Sequence, residues 1–369
     1  MRGTDHPTGF AWLAPHDAAR RDAGVLFGVA LAVLGFYSFG VFALVVLVAE
    51  ASAAGTADRL ASFDIGTVVA VGAIGIACVT AAALFTLAAW RGARNRRARD
   101  VGTRRPTAAE AAHVRRALAE ATEPYGTEPP RFAIHDDAAP NGASWVSPAG
   151  ATVCLTTGAL ELPAAELNAL CRQLVTGLAS PARNRAVDAV DLVLIAERWA
   201  QFVWTIGIGA FVLAVVATNR TVAAGVLVGV VVLVLVTRPA ILLATRALPG
   251  LFHRIDELID LETTRRSADP EPLAHLLVHL LEDARQVRTS WRFVHLWFER
   301  DAIEAMPALG DDGLGGGALH LGTPGAGTPI QRVWARTAPA TLAGRARVAV
   351  NLASGDRKLR TRLDRAAAG

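Results

Sequence analysis

The sequence predicts a mainly α integral membrane protein, with four transmembrane helices plus a small α+β cytoplasmic unit. Three observations carry that prediction. Mean hydropathy is positive, at +0.35. The chain is 52% hydrophobic yet 19% charged, so its apolar residues must be gathered into blocks. Arginine is distributed very unevenly around those blocks.

The first block is an uncharged run from Ala23 to Ala49, and the second extends from Ile65 to Trp90. Each exceeds the ~20 residues that a helix needs to cross hydrocarbon. The first run is also too long for the ~7–15-residue apolar core of a cleaved signal peptide, so it reads as an anchor. A third run spans Trp199 to Thr218. A fourth runs from Thr221 to Thr237, where Arg238-Pro239 interrupts before a further apolar stretch from Ala240 to Leu248. The last two runs form a hairpin joined by Asn219-Arg220, and a buried core hairpin is the competing reading of them.

Orientation follows from the basic residues, which are retained on the cytoplasmic side. Arg91, Arg94, Arg96, Arg97, Arg99, Arg104 and Arg105 follow the second run, whereas the loop between the first two runs offers Arg59 against Glu50, Asp58 and Asp64. The expectation is a multi-pass cell-membrane protein with both termini cytoplasmic. Its parts are a cytoplasmic N-terminus over 1–22 and a first hairpin over 23–90. A cytoplasmic α+β unit over 91–198 comes next, then a second hairpin over 199–248 and further cytoplasmic helices over 249–306. A Gly/Pro-rich linker over 307–330 and a basic C-terminal tail over 331–369 complete the chain.

A pI near 9.5 raises nucleic acid as a partner. The arginines cluster beside apolar runs, though, where anionic lipid headgroups attract them at about 1 kcal/mol each. No nucleic-acid motif accompanies them, so membrane lipids are the expected partner and nucleic acid is not. Cys78, Cys154 and Cys171 share no CxxC spacing, which excludes a zinc knuckle and a disulfide framework.

The α+β unit opens with a helix from Thr107 to Thr122, signalled by Thr107 and Glu110 at capping-box spacing. A strand over Arg131 to His135, a turn through Pro140-Asn141-Gly142 and a hairpin whose second arm is Ala151 to Thr156 follow. Helices are expected from Ala164 to Ala179, from Phe252 to Arg266, and from Leu273 to Phe298, with Asp269-Pro270 breaking the last two apart.

Pro140-Asn141 in the turn, Thr156-Thr157-Gly158 closing the strand and Glu166-Leu167-Asn168-Ala169-Leu170 entering the next helix stand in a distinctive order of elements. That order resembles the HtpX-type membrane zinc metalloproteases, which are related to the CAAX prenyl proteases. The resemblance implies a zincin-like unit acting in membrane protein quality control. It also implies an HExxH helix, in which two His one turn apart hold zinc and the Glu serves as general base. Carried over by position, the two His fall at Gln173 and Gly177, the base at Leu174 and the third ligand at Leu258. None of these side chains can clasp zinc tightly or activate water. Asp260 is retained, and Thr337-Ala338-Pro339 resembles the family's Thr-His-Pro without its His.

A rival metal pair, His275 and His279, lies i, i+4 on the expected helix with Glu282 and Asp283 one turn on. The stripe of Leu273, Leu276, Leu277 and Leu280 beside it favours boundary histidines. The reading is therefore a zinc-less pseudoprotease that binds unfolded or membrane-protein segments, or a partner protein, with no cofactor. The strand Ala151, Thr152, Val153, Cys154, Leu155 and Thr156 would serve as its peptide-binding edge. Two alternatives stand beside it: an active zinc metalloendopeptidase using displaced ligands, and a non-catalytic structural membrane subunit.

Overall fold

Alanine- and leucine-rich runs with few breakers favour long helices, and helices dominate the chain. The structure, a computed structural model, describes residues 13–52, 65–216, 220–267, 269–283, 285, 287–290, 296–298, 303–306, 339–353 and 357–366. In order the elements are α1 (Leu13–Ser52), α2 (Ile65–Asp100), β1 (Thr103–Arg104), α3 (Ala108–Thr122), β2 (Arg131–His135), β3 (Gly142–Ser147), β4 (Gly150–Thr156) and α4 (Ala164–Ala179). They continue with α5 (Pro181–Val216), α6 (Arg220–Arg266), α7 (Glu271–Glu282), β5 (Val287–Ser290), β6 (Ile303–Met306), α8 (Pro339–Leu352) and α9 (Arg357–Ala366).

The four apolar runs are helical, but the fold class expected from them needs correction. Among the described residues no helix is long and apolar enough to cross a membrane. The fold is a mainly helical chain with a small sheet. The break expected at Arg238-Pro239 is also absent, because α6 runs for 47 residues through that position. A proline removes one backbone donor, which a helix this long tolerates. The expected linker over 307–330 lies outside the described residues.

The chain divides into two compact units. One comprises Val25–Ala93 and Asp188–Thr245. It buries small side chains such as Ala30, Ala82, Ala189, Ala196 and Ala244, and exposes larger ones such as Val25, Phe36, Leu84, Val212, Leu235 and Leu243. The other comprises Met1–Gly24, Arg94–Val187 and Arg246–Gly369, and it holds the sheet.

In that second unit α3 begins as its sequence signals. Thr107 Oγ1 accepts from the Glu110 N–H, and Glu110 Oε2 accepts from the Thr107 N–H at 2.7 Å. Glu110 also binds Arg104 at 2.8 Å. Arg104 first, and the Thr107 backbone second, hold the Glu110 carboxyl down to about 2. The contribution of that carboxylate is present above the ordinary glutamate range and is lost as pH falls toward 2. Thr107→Ala is expected to cost about 1 kcal/mol in urea unfolding at neutral pH.

The sheet has the order β1-β2-β4-β3. β2 pairs in parallel with β4, from Arg131 opposite Thr152 to His135 opposite Thr156. β3 pairs antiparallel with β4, from Gly142 opposite Leu155 to Ser147 opposite Gly150. A two-residue turn joins β3 to β4, and Gly150 takes φ +118° there, which favours glycine. Thr156 ties the end of β4 to the turn before β3: its Oγ1 accepts from the Asn141 N–H at 2.9 Å and donates to the Asn141 carbonyl at 3.0 Å. Gly158 passes so close to Ala138 that an added Cβ would lie 2.0 Å from its carbonyl oxygen.

One core joins Leu118 of α3, Ile134 of β2, Val153 and Leu155 of β4, and Leu170 and Leu174 of α4 to Leu276 and Leu277 of α7. The same core takes in Leu342, Ala346 and Val350 of α8 and Leu359 and Leu363 of α9. Much of the stretch expected to be a basic tail is thus a pair of helices docked by their apolar faces. The helix expected from Leu273 to Phe298 ends at Glu282. Asp283 turns extended there, and the β-branched Val287 and Thr289 continue as strand β5, parallel to β6.

Candidate functional site

Of the positions singled out by the resemblance, Gln173, Leu174 and Gly177 lie on α4 and Leu258 lies on α6. Leu167, Leu170, Cys171 and Leu174 recur on α4 at helical spacing and seat it in the core. Gln173 and Gly177 are buried on the same helix.

Gln173 Nε2 donates to Asp260 Oδ1 at 3.5 Å. Asp260, on α6, forms a two-pronged ion pair with Arg345 of α8: Nε donates to Oδ2 at 2.7 Å and Nη2 to Oδ1 at 3.0 Å. Arg345 Nη1 donates to the Phe298 carbonyl at 3.1 Å, and the guanidinium lies 4.5 Å from the centre of the Phe298 ring. Asp260 and Arg345 are 7% and 4% exposed. Burial pushes the Asp260 carboxyl up, and the Arg345 guanidinium opposes that push. The pair is satisfied on both sides, as a buried ion pair must be.

Gly177 is occupied territory too. A Cβ there would stand 3.2 Å from Arg183 Cδ and 3.4 Å from its Nε. Arg183, in the first turn of α5, is buried and donates to the Ser144 carbonyl at 2.9 Å and the Leu296 carbonyl at 3.0 Å. Leu174 presses on the start of β3, where a Cβ on Gly142 would meet its Cδ1 at 2.7 Å.

Leu258 is half-buried. Its neighbour Glu257 is exposed and pairs with His253 at 3.3 Å. The carboxylate that reaches Gln173 is Asp260's. A shallow depression lies between α6 and α8, with Asp260 and Arg345 in its wall.

A zinc ion does not fit these residues. An amide, two hydrocarbon positions and a carboxylate already held by a guanidinium offer no tetrahedral N/S donor set. The rival pair fares no better. His279 Nδ1 is 2.8 Å from Glu166 Oε2, Glu282 is engaged by Arg362, and Asp283 by Arg285. His275 is half-buried on α7. Among the described residues no group of three or more His, Cys, Asp or Glu is placed to hold a metal.

The expected peptide-binding edge, Ala151 to Thr156, is corrected by the strand order. β4 is bonded by β2 on one side and β3 on the other, so it offers no free edge. The outer strands are β1 and β3, and the outward carbonyls of β3 are already used. Gly142 accepts from the Phe298 N–H at 2.6 Å, Ser144 from Arg183 at 2.9 Å, and Val146 from Arg97 Nη1 at 3.0 Å. Trp297 forms an antiparallel bridge with Ala143, and its ring meets the His135 ring edge-on at 5.3 Å. Leu296, Trp297 and Phe298 are all buried.

Sequence reasoning missed Arg97, Arg183 and Arg345 as interior residues, and missed that Trp297 bridges to β3. One signal was present. Arg345 stands in a segment whose Leu342, Ala346 and Ala349 are spaced as a buried helical face. Nothing in the sequence around Arg183 marks it as buried. Cys154 and Cys171 are free and buried, and burial pushes the Cys171 thiol up to about 12. No family model, curated protein or solved structure matches the chain.

Proposed function

We propose that the protein is a pseudoprotease: a unit resembling that of the HtpX-type zinc metalloproteases, kept as a non-catalytic scaffold that engages polypeptide. One observation carries this reading. Where the family would hold zinc and its base, this chain has the buried network Gln173–Asp260–Arg345, with Arg183 filling the space at Gly177. Such a network binds no substrate carbonyl and generates no hydroxide. Its arginines tie distant elements together instead: Arg345 joins α8 to α6 and to Phe298, and Arg183 joins α5 to β3 and to Leu296.

The test is metal analysis of the purified full chain alongside cleavage of unfolded casein, with and without chelator. The expected result is far less than one equivalent of zinc and no chelator-sensitive cleavage. About one equivalent of zinc, with cleavage abolished by chelator, would overturn the reading. A second reading, a structural subunit with no peptide site, is favoured by the occupied carbonyls of β3.

A further inference from the structure

The outer edge of β3 is one place where an extended polypeptide would add to this sheet. Leu296–Phe298 occupies part of it in the manner of such a ligand. The segment runs antiparallel to β3 through the Ala143–Trp297 bridge and gives its Phe298 N–H to the Gly142 carbonyl. Its own carbonyls are received by two side chains from elsewhere in the fold: Leu296 by Arg183 and Phe298 by Arg345. Two aromatic side chains complete the set, Trp297 against His135 and Phe298 against the Arg345 guanidinium.

The closed arrangement also carries a cost. The indole N–H groups of Trp145 and Trp297 and the hydroxyl of Ser144 are buried and have no hydrogen-bond partner among the described residues. Native interiors pair almost all such groups. Their clustering on and beside one strand edge marks a contact that is closed but not optimised, and such a contact is open to competition.

We propose that Leu296–Phe298 is a displaceable self-ligand. It holds the β3 edge shut, and the partner it stands in for is an extended polypeptide segment with adjacent aromatic residues, bound antiparallel to β3. Arg183 is the clip between the two strands, since one guanidinium binds the Ser144 carbonyl on β3 and the Leu296 carbonyl on the occupant. Arg345 recognises the second carbonyl and the ring that follows it. This inference rests on the binding-scaffold reading but not on the loss of zinc.

The probe is a fluorescein-labelled synthetic peptide copying residues 292–300, used with the full chain and read by anisotropy. The control peptide has proline in place of the residue matching Phe298, which removes the N–H that Gly142 accepts. Phe298→Pro in the protein removes the same donor from the self-ligand. If the edge is free in about one molecule in ten or fewer, this variant should bind the probe at least about tenfold more tightly than the natural chain. The control peptide should not bind.

Where Phe298→Pro fails to unfold cooperatively, the natural chain is used with a large excess of probe. Hydrogen exchange at Trp297 and Phe298 should then rise, while the amides of β4 keep their protection. No probe binding to a folded variant overturns the self-ligand, as does excess probe that leaves exchange at Trp297 and Phe298 unchanged. Equal binding of the control peptide overturns it too. Chelator-sensitive cleavage in the separate zinc test would sink the pseudoprotease reading and leave this one standing.

Discussion

Arg345→Met is expected to destabilise the α+β unit by about 3–5 kcal/mol, because it strands the Asp260 carboxylate in a dry interior. Asp260 keeps only the long bond from Gln173 once the two guanidinium bonds are gone. The substitution also removes the donor to the Phe298 carbonyl. Urea unfolding of the single variants and of Asp260→Leu with Arg345→Met measures it. The double variant should recover most of the loss, since two apolar side chains of similar volume replace a buried pair at little net cost. A single-variant loss below about 1 kcal/mol would place the pair in solvent, where such interactions are weak.

Rebuilding the motif, with Gln173→His, Leu174→Glu and Gly177→His together, is expected to abolish folding rather than create an enzyme. Leu174 is 1% exposed. Its replacement by a carboxylate forfeits about 1.5–3 kcal/mol of apolar burial and adds the cost of burying a polar group without a partner, roughly 2 kcal/mol or more. At Gly177 a histidine Cβ would crowd Arg183 at 3.2 Å, and overpacking of that kind costs about 1–3 kcal/mol. The sum rivals the ~5–15 kcal/mol by which a domain is stable. Thermal melts followed by circular dichroism, with and without zinc, decide the matter. A folded triple variant that takes up zinc would mean that the site had stayed open and that Arg183 does not fill it.

These two expectations differ in how far they could be read from the sequence. That positions 173, 174 and 177 carry no zinc-binding side chain is visible in the letters Gln, Leu and Gly. What surrounds them is not, because Asp260 and Arg345, and Arg183 and the Leu296 carbonyl, are far apart in the chain and meet only on folding. A sequence window sees arginine as a surface or headgroup residue. Partners from distant elements, a carboxylate for Arg345 and backbone carbonyls for Arg183, make one tolerable inside.

Local signals served well where they were strong. β2 and α4 have the expected bounds, and the capping box at Thr107 starts α3 as its spacing demands. Each of these depends on residues within one or two turns of one another. Hydropathy served less well. Long apolar runs indicated helices correctly, yet no described helix is long and apolar enough to span a membrane. The expected helix to Phe298 likewise overran, because a leucine stripe says where an apolar face exists and not where packing ends it.

The sequence by itself determined the helical character of the chain, the bounds of β2 and α4 and the cap that starts α3. Tertiary structure alone decided that β4 lies inside the sheet, that β3 is one of its two outer strands, and that Leu296–Phe298 closes part of that edge. The reason is the range of the forces involved. Caps, turns and helical stripes act between near neighbours in the chain, whereas strand order and buried ion pairs depend on which distant segments share one interior.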